Sequence, residues 1–248
     1  MTAKGADPRQ RIGFDLHDRQ RDTHKRQIFL TESFPMMKIY DSPSAPNPRR
    51  VNVFAAEKGI ELESVVIDMR KGEHKTADFM AKNPSGKLPV LELQDGTCIG
   101  ETVAISRYLE SLVPTPNLFG ETAVEIALIE MHNRFIEFEL FSAIGQAWVN
   151  GPIVASMGLV ESIPAAKERG ESLTRAYYQR LNNELSKRPY IAGDRFTVAD
   201  ITALCCIDFA AGMVALRPDN KLEALWNWHQ RISSRDSVKN TAPSMSLG

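Results

Sequence analysis

Cysteine is scarce and unpatterned: Cys98, Cys205 and Cys206 are the only three in 248 residues. Two are adjacent and none forms a Cys-x-x-Cys pair, so neither a disulfide framework nor a zinc motif is expected, and a reduced cytoplasm is the natural setting. Histidine is also sparse, and no two of the five stand three or four residues apart, which removes the helical metal pair. No apolar run approaches the roughly 18 residues that would span a bilayer. Charge of one sign is missing as well, because 30 basic residues face 31 acidic ones for a net charge of -1. Nucleic acid and an anionic membrane are therefore not expected as main partners. An apolar share of 43% supports a buried core in one large domain or two smaller ones.

Residues 1–35 are polar, alternate in charge as in Arg19-Gln20-Arg21-Asp22, and hold no helical or strand period. They are expected to be disordered. Asp7, Asp15, Asp18 and Asp22 count against a mitochondrial presequence, and no apolar stretch resembles a secretory signal. Met36-Met37, directly before the first regular pattern, is a second candidate translation start.

From Met37 the pattern becomes regular. Lys38-Ile39-Tyr40 reads as a strand, Asp41 to Pro48 as a Pro-rich loop, and Val51, Phe54 and Ala55 as one face of a helix that Gly59 stops. Glu63 to Asp68 reads as a second strand, so strand, helix and strand form a βαβ unit with parallel pairing. A short helix around Ala77 to Met80 precedes Asn83-Pro84-Ser85-Gly86-Lys87-Leu88-Pro89-Val90-Leu91, a loop entering a strand at a proline. Gln94-Asp95-Gly96 turns the chain back as Thr97-Cys98-Ile99, and Thr102 can cap a helix with Ala104, Ile105, Tyr108, Leu109 and Leu112 on its apolar face.

Pro114 and Pro116 close this first α/β domain, expected over residues 36–116. The rest, 121–240, is helical by period. Val124, Leu128, Met131, Phe135 and Phe138 form one stripe, Leu173, Tyr177, Leu181 and Leu185 a second, and Ile201, Leu204, Cys205, Phe209 and Met213 a third. Thr197-Val198-Ala199-Asp200 reads as a capping box with aspartate for glutamate, flanked by the staple pair Phe196 and Ile201.

This order of elements, with the Asn83 to Leu91 run, Glu101-Thr102-Val103-Ala104-Ile105-Ser106-Arg107-Tyr108-Leu109, and Ala192-Gly193-Asp194 leading into the capping box, resembles the cytosolic glutathione transferase family. The resemblance spans Met37 to about Ser237. It implies a thioredoxin-like N-terminal domain that holds glutathione and an all-α C-terminal domain that supplies the pocket for a small hydrophobic electrophile. A homodimer is implied too. Glutathione-dependent isomerase, dehalogenase or peroxidase chemistry remains open on the same scaffold, as does a non-catalytic binding protein.

The first loop departs from members that carry a tyrosine, serine or cysteine to bond the glutathione sulfur. With Lys71-Gly72-Glu73-His74-Lys75, it is similar to an atypical fungal and bacterial branch in which a small residue at the helix start admits the sulfur. Ala45 matches that small residue. Ser42 and Ser44 are the hydroxyls within reach of a sulfur there, or simply turn residues. His132 is the candidate for holding an activating water at the cleft, since its imidazole can donate or accept near neutral pH.

The resemblance further implies that the Leu88 main chain, before a cis Pro89, pairs with the cysteinyl backbone of glutathione. Lys87 would meet the glycyl carboxylate, with His74 near the same end. Glu101-Thr102, at a helix start, would receive the γ-glutamyl group, the helix end taking its carboxylate and Glu101 its ammonium. Phe138, Phe141, Trp148, Phe209 and Met213 line either the electrophile pocket or the core.

Overall fold

The computed structural model describes residues 36–158 and 160–241, so the expectation for 1–35 lies outside the described residues. Strand β1 (Met37–Asp41) leads into helix α1 (Pro46–Glu57) and strand β2 (Leu62–Val66), which pairs parallel to β1. A single turn of 3-10 helix (Glu73–Lys75), helix α2 (Ala77–Lys82), strands β3 (Val90–Glu92) and β4 (Cys98–Gly100) and helix α3 (Thr102–Leu112) complete this half. The sheet order is β2-β1-β3-β4, with β3 antiparallel to both neighbours. The second strand starts one residue before the expected Glu63 and ends two residues before the expected Asp68.

The α1 stop is a full left-handed cap. Gly59 adopts φ 64°, its N–H donates to the Ala56 carbonyl, and the Ile60 N–H reaches back to Ala55 at 2.9 Å. Both orphan carbonyls are thereby satisfied. Val51, Phe54 and Ala55 are buried, as the helical spacing requires.

The second half is helical: α4 (Ala123–Phe135), a π-helical segment (Ile136–Phe141), α5 (Ser142–Val149), α6 (Pro152–Ser156), α7 (Pro164–Leu185), α8 (Val198–Met213), α9 (Glu223–Ser233) and α10 (Asp236–Lys239). Helix α8 is buried from Val198 to Ile207 and forms the axis on which α1, α4 and α9 pack. At its start the Asp200 carboxylate accepts from the Thr197 N–H at 3.0 Å, the Ile191 N–H at 3.1 Å and Trp228 Nε1 at 2.8 Å. The buried carboxylate thus ties three segments together, which is more than a cap.

Two expectations are corrected. The α4 stripe does not face the core: Val124 is 70% exposed and Phe138 68%, and Leu128, Met131 and Phe135 are exposed too. The inward face is Ile129, Asn133, Ile136 and Leu140. On α7 the inward face is Gly170, Thr174, Tyr177, Tyr178, Leu181 and Leu185, with Leu173 outside. Gly170 is there because α5 lies against it: a Cβ would stand 2.6 Å from the Ala143 carbonyl oxygen and 2.7 Å from the Ala147 nitrogen.

The halves also share one core. A single cluster runs from Met37, Phe54 and Ile105 through Ile129 and Leu140 to Leu204 and Trp228. Buried ion pairs cross the same junction, with Arg49 of α1 on Asp208 of α8 at 2.5 Å and Arg50 of α1 on Glu137 of the π-helical segment. Secondary structure changes character near 116–121, but the packing does not.

Candidate active site

Strand register gathers the expected site residues at one end of the sheet. Tyr40 stands opposite Val90, and Val90 opposite Gly100. The chain leaving β1 toward Ala45, the chain entering β3 through Leu88-Pro89, and the chain leaving β4 at Glu101 therefore emerge side by side. The Leu88–Pro89 bond is cis.

A pocket of about 350 Å³ opens there, lined by Ala45, Pro46, Asn47, Met69, His74, Lys75, Gly86, Lys87 and Leu88. Four expected residues, Ala45, His74, Lys87 and Leu88, share its wall. Ala45 is the N-cap of α1 and carries no side-chain cap. Among the described residues, neither the Leu88 N–H nor its carbonyl is taken by another backbone group, so a strand-like edge faces the pocket. Gly86 adopts φ 61°, and a Cβ there would stand 3.1 Å from the His74 carbonyl oxygen.

The pocket is electropositive through Lys75 and Lys87. His74 is half-buried, and burial first and the neighbouring Lys75 second hold its imidazole below its ordinary pKa. Its Nδ1 is buried without a protein partner. In the tautomer that carries its proton on Nδ1, the neutral imidazole can donate from this unpartnered nitrogen, and with two ammonium groups beside it the wall suits an anionic end of a ligand.

Glu101 is the N-cap of α3 and has φ 65°, ψ 124°, a conformation few residues other than glycine adopt. Its side chain is exposed beside the free α3 N-terminus, while Thr102 is buried. Neither touches the pocket just described; both stand at the adjoining strand end.

Three expected residues are not brought in. The Ser42 carbonyl accepts the Ala45 N–H at 2.8 Å, closing a turn with Pro43 and Ser44 at its centre. That turn carries both hydroxyls off the pocket wall. His132 is not on the wall of this pocket: its Nε2 is 3.3 Å from Arg188 Nη1, beyond the C-terminal end of α7, and it meets Phe135 edge to face. Burial first and Arg188 second keep it below its ordinary pKa.

Of the aromatic candidates, Trp148 and Phe209 meet edge to face at 5.3 Å, partly exposed, and Phe209 follows the Asp208 that holds Arg49 of α1. Phe141 packs against the core and Phe138 is on the outer surface. Cys205 and Cys206 are buried, and desolvation pushes the Cys205 thiol up to about 12; Cys98 is only half-buried. Asn47, Met69 and Lys75 are pocket residues that pattern reading passed over. Asn47 had one visible signal, a polar residue between two prolines at a helix start.

Residues 45–112 match the family model described as glutathione S-transferase, N-terminal domain, and residues 153–236 that described as glutathione S-transferase, C-terminal domain. Glutathione S-transferase 2 of Saccharomyces cerevisiae is 39% identical over 212 residues, 82% of this chain and 88% of that protein. The crystal structure of Gtt2 from the same yeast superposes with a TM-score of 0.77 at 38% identity, covering 82% of this chain and 99% of the other. Elongation factor 1-gamma of Schizosaccharomyces pombe is 36% identical over 178 residues, 71% of this chain but 41% of that protein.

Proposed function

This chain belongs to the glutathione S-transferase family, and on that premise we propose that it conjugates the glutathione thiolate to small hydrophobic electrophiles. The convergence of Ala45, His74, Lys87 and Leu88 on one pocket carries the reading. Glutathione is the co-substrate, and its parts find matching chemistry along the sheet end. Lys87, with Lys75 and the free His74 nitrogen, is suited to the glycyl carboxylate. The unengaged Leu88 main chain can pair with the cysteinyl backbone as an added strand. Glu101 and the α3 N-terminus offer an anion for the γ-glutamyl ammonium and donors for its carboxylate.

The nucleophile must be the thiolate, because only about 3% of a thiol with a pKa near 8.5 is ionised at pH 7. Lowering that pKa by two units needs about 2.7 kcal/mol of preferential anion stabilisation. A helix N-terminus supplies about 0.3–2 kcal/mol and a hydrogen bond to a charged group about 1.5–3, so the two together reach that figure over most of their combined range. Ala45 leaves the sulfur room beside the α1 N-terminus. The thiol proton leaves to solvent, and the thiolate then attacks the electrophilic carbon of a substrate held against apolar side chains, forming the C–S bond while the bond to the leaving group, chloride in 1-chloro-2,4-dinitrobenzene, breaks with its electron pair and the anion departs to solvent. Trp148, Phe209 and Met213 are the candidates for that surface: all three are partly exposed, Trp148 packs on Phe209, and Phe209 adjoins the Asp208 that pairs with Arg49 of α1.

The exposed apolar stripe of α4 supports a homodimer, with Val124, Leu128, Met131, Phe135 and Phe138 covered by a second copy. The scarcity of cysteine supports a cytoplasmic location. A second reading, a non-catalytic glutathione- or ligand-binding protein, draws on the similarity to part of elongation factor 1-gamma, which is not named as a transferase. The two part on one test, conjugation of glutathione to 1-chloro-2,4-dinitrobenzene: turnover lost in Ala45→Phe, with the fold retained, supports the transferase, and absent turnover in the unaltered protein favours the binding protein.

A further inference from the structure

The first turn of α1 is poor in the donors on which a helix-end anion site depends. Pro46 and Pro48 have no N–H, and the Ala45 N–H is spent on Ser42. Among the described residues only the Asn47 N–H is left of the four groups that a helix start ordinarily offers. That leaves the sulfur a single backbone donor, where a thiolate has room to accept more, and a further donor at the wall formed by Ala45 and Asn47 would add to the stabilisation of the anion.

The Asn47 side chain is oriented to be that donor. Arg50 Nη1 donates to Asn47 Oδ1 at 3.1 Å. A guanidinium has no acceptor atom, so the amide oxygen must face it and the amide NH2 must be turned away. Among the described residues that NH2 has no protein partner, and Asn47 lines the pocket with Ala45 and Leu88. Arg50 is itself immobilised: it is buried, paired with Glu137 of the π-helical segment, and bonded through Nη2 to Thr202 Oγ1 of α8 at 3.0 Å. Thr202 in turn lies 2.7 Å from Asn133 Oδ1 of α4.

We propose that the Asn47 side-chain amide donates a hydrogen bond to the glutathione sulfur, with Arg50 and Glu137 as the positioning residues that fix its orientation. This rests on the glutathione reading above. The charged residues that line the pocket, Lys75 and Lys87, are cations, as is the Arg50 that meets the Asn47 oxygen, while Glu137 is held by Arg50 and by Arg134 at 2.7 Å. The amide needs no proton transfer of its own, and its donor capacity does not change with pH.

Asn47→Asp separates this role from a structural one, because aspartate keeps the acceptor that Arg50 holds and removes the donor. The ultraviolet absorbance of glutathione thiolate, titrated with pH on the unaltered protein, Asn47→Ala and Asn47→Asp, gives the bound thiol pKa; tryptophan fluorescence reports binding. The expected result is a lowered pKa on the unaltered protein, about one unit higher in Asn47→Ala, which for a bound thiol at about 6.5 is about threefold less thiolate at pH 7. Asn47→Asp is expected to be higher again, with a thermal midpoint no lower than that of Asn47→Ala. A bound pKa in Asn47→Asp equal to that of the unaltered protein overturns the proposal, leaving Asn47 as an anchor for Arg50. Loss of binding in both variants also overturns it, assigning Asn47 to holding the tripeptide. An unshifted thiol on the unaltered protein sinks the glutathione reading itself.

Discussion

Glu101 is held where an L-residue is uncomfortable, at φ 65°, and such a conformation costs about 1–3 kcal/mol. That cost is tolerable only if the side chain is needed at that strand end. Glu101→Gly should raise the thermal midpoint by relieving the backbone while raising the KM for glutathione at least about tenfold, the worth of one charge-assisted hydrogen bond. Glu101→Ala should raise KM alike without the stability gain. A KM unchanged in both, measured by initial rates, removes Glu101 from glutathione binding. Ala45 is tested by bulk: Ala45→Phe should abolish glutathione binding by calorimetry with the helical circular dichroism retained. Residues of this kind were legible because they sit inside contiguous motifs. Asn47 was not, because its role depends on Arg50 and, through it, on Glu137, which lies 87 positions further along the chain.

At the scale of elements, strands and helices followed from period and punctuation, since Gly59, Pro48 and Asp200 each act on their own neighbours; Thr102 does not cap α3 as expected, because Glu101 is the N-cap and the helix has no side-chain cap. The facing of α4 did not follow. Val124, Leu128, Met131, Phe135 and Phe138 repeat as a core face would, but period reports an apolar side and not what covers it. The π-helical segment Ile136–Phe141 was equally invisible, since no residue type marks a wide turn; its Glu137 is the partner that locks Arg50. Close packing of α5 on α7 gives a sharp test of an element. Helix propensity favours alanine over glycine by about 1 kcal/mol, yet a Cβ at Gly170 would meet α5 backbone at 2.6 Å. Gly170→Ala should therefore lower stability, by about 1–3 kcal/mol net in urea unfolding. A raised midpoint would show that the helices can move apart freely.

For the whole molecule, the junction between α1 and α8 links stability to pH. Burial alone would raise the Asp208 carboxyl, but the His229 hydrogen bond at 2.6 Å and the Arg49 charge outweigh it and hold the pKa below its ordinary value. A carboxylate depressed in the folded state contributes stability that is full above its unfolded pKa near 3.9 and fades as pH falls below that toward the folded value. Asp208→Asn should therefore lower the thermal midpoint at pH 6 and flatten its fall below about pH 4; equal slopes in both proteins would clear Asp208 of that role. The exposed α4 face predicts that Leu128→Arg with Phe138→Glu converts a sedimenting dimer to a monomer, whereas an unaltered sedimentation coefficient would put the interface elsewhere. The most direct test of the chemistry is the thiolate absorbance of glutathione titrated with pH, with and without the unaltered protein. Ionisation about two units below the free thiol is the expected result, and binding with an unshifted pKa, or no binding at all, would contradict a glutathione-activating site at the end of this sheet.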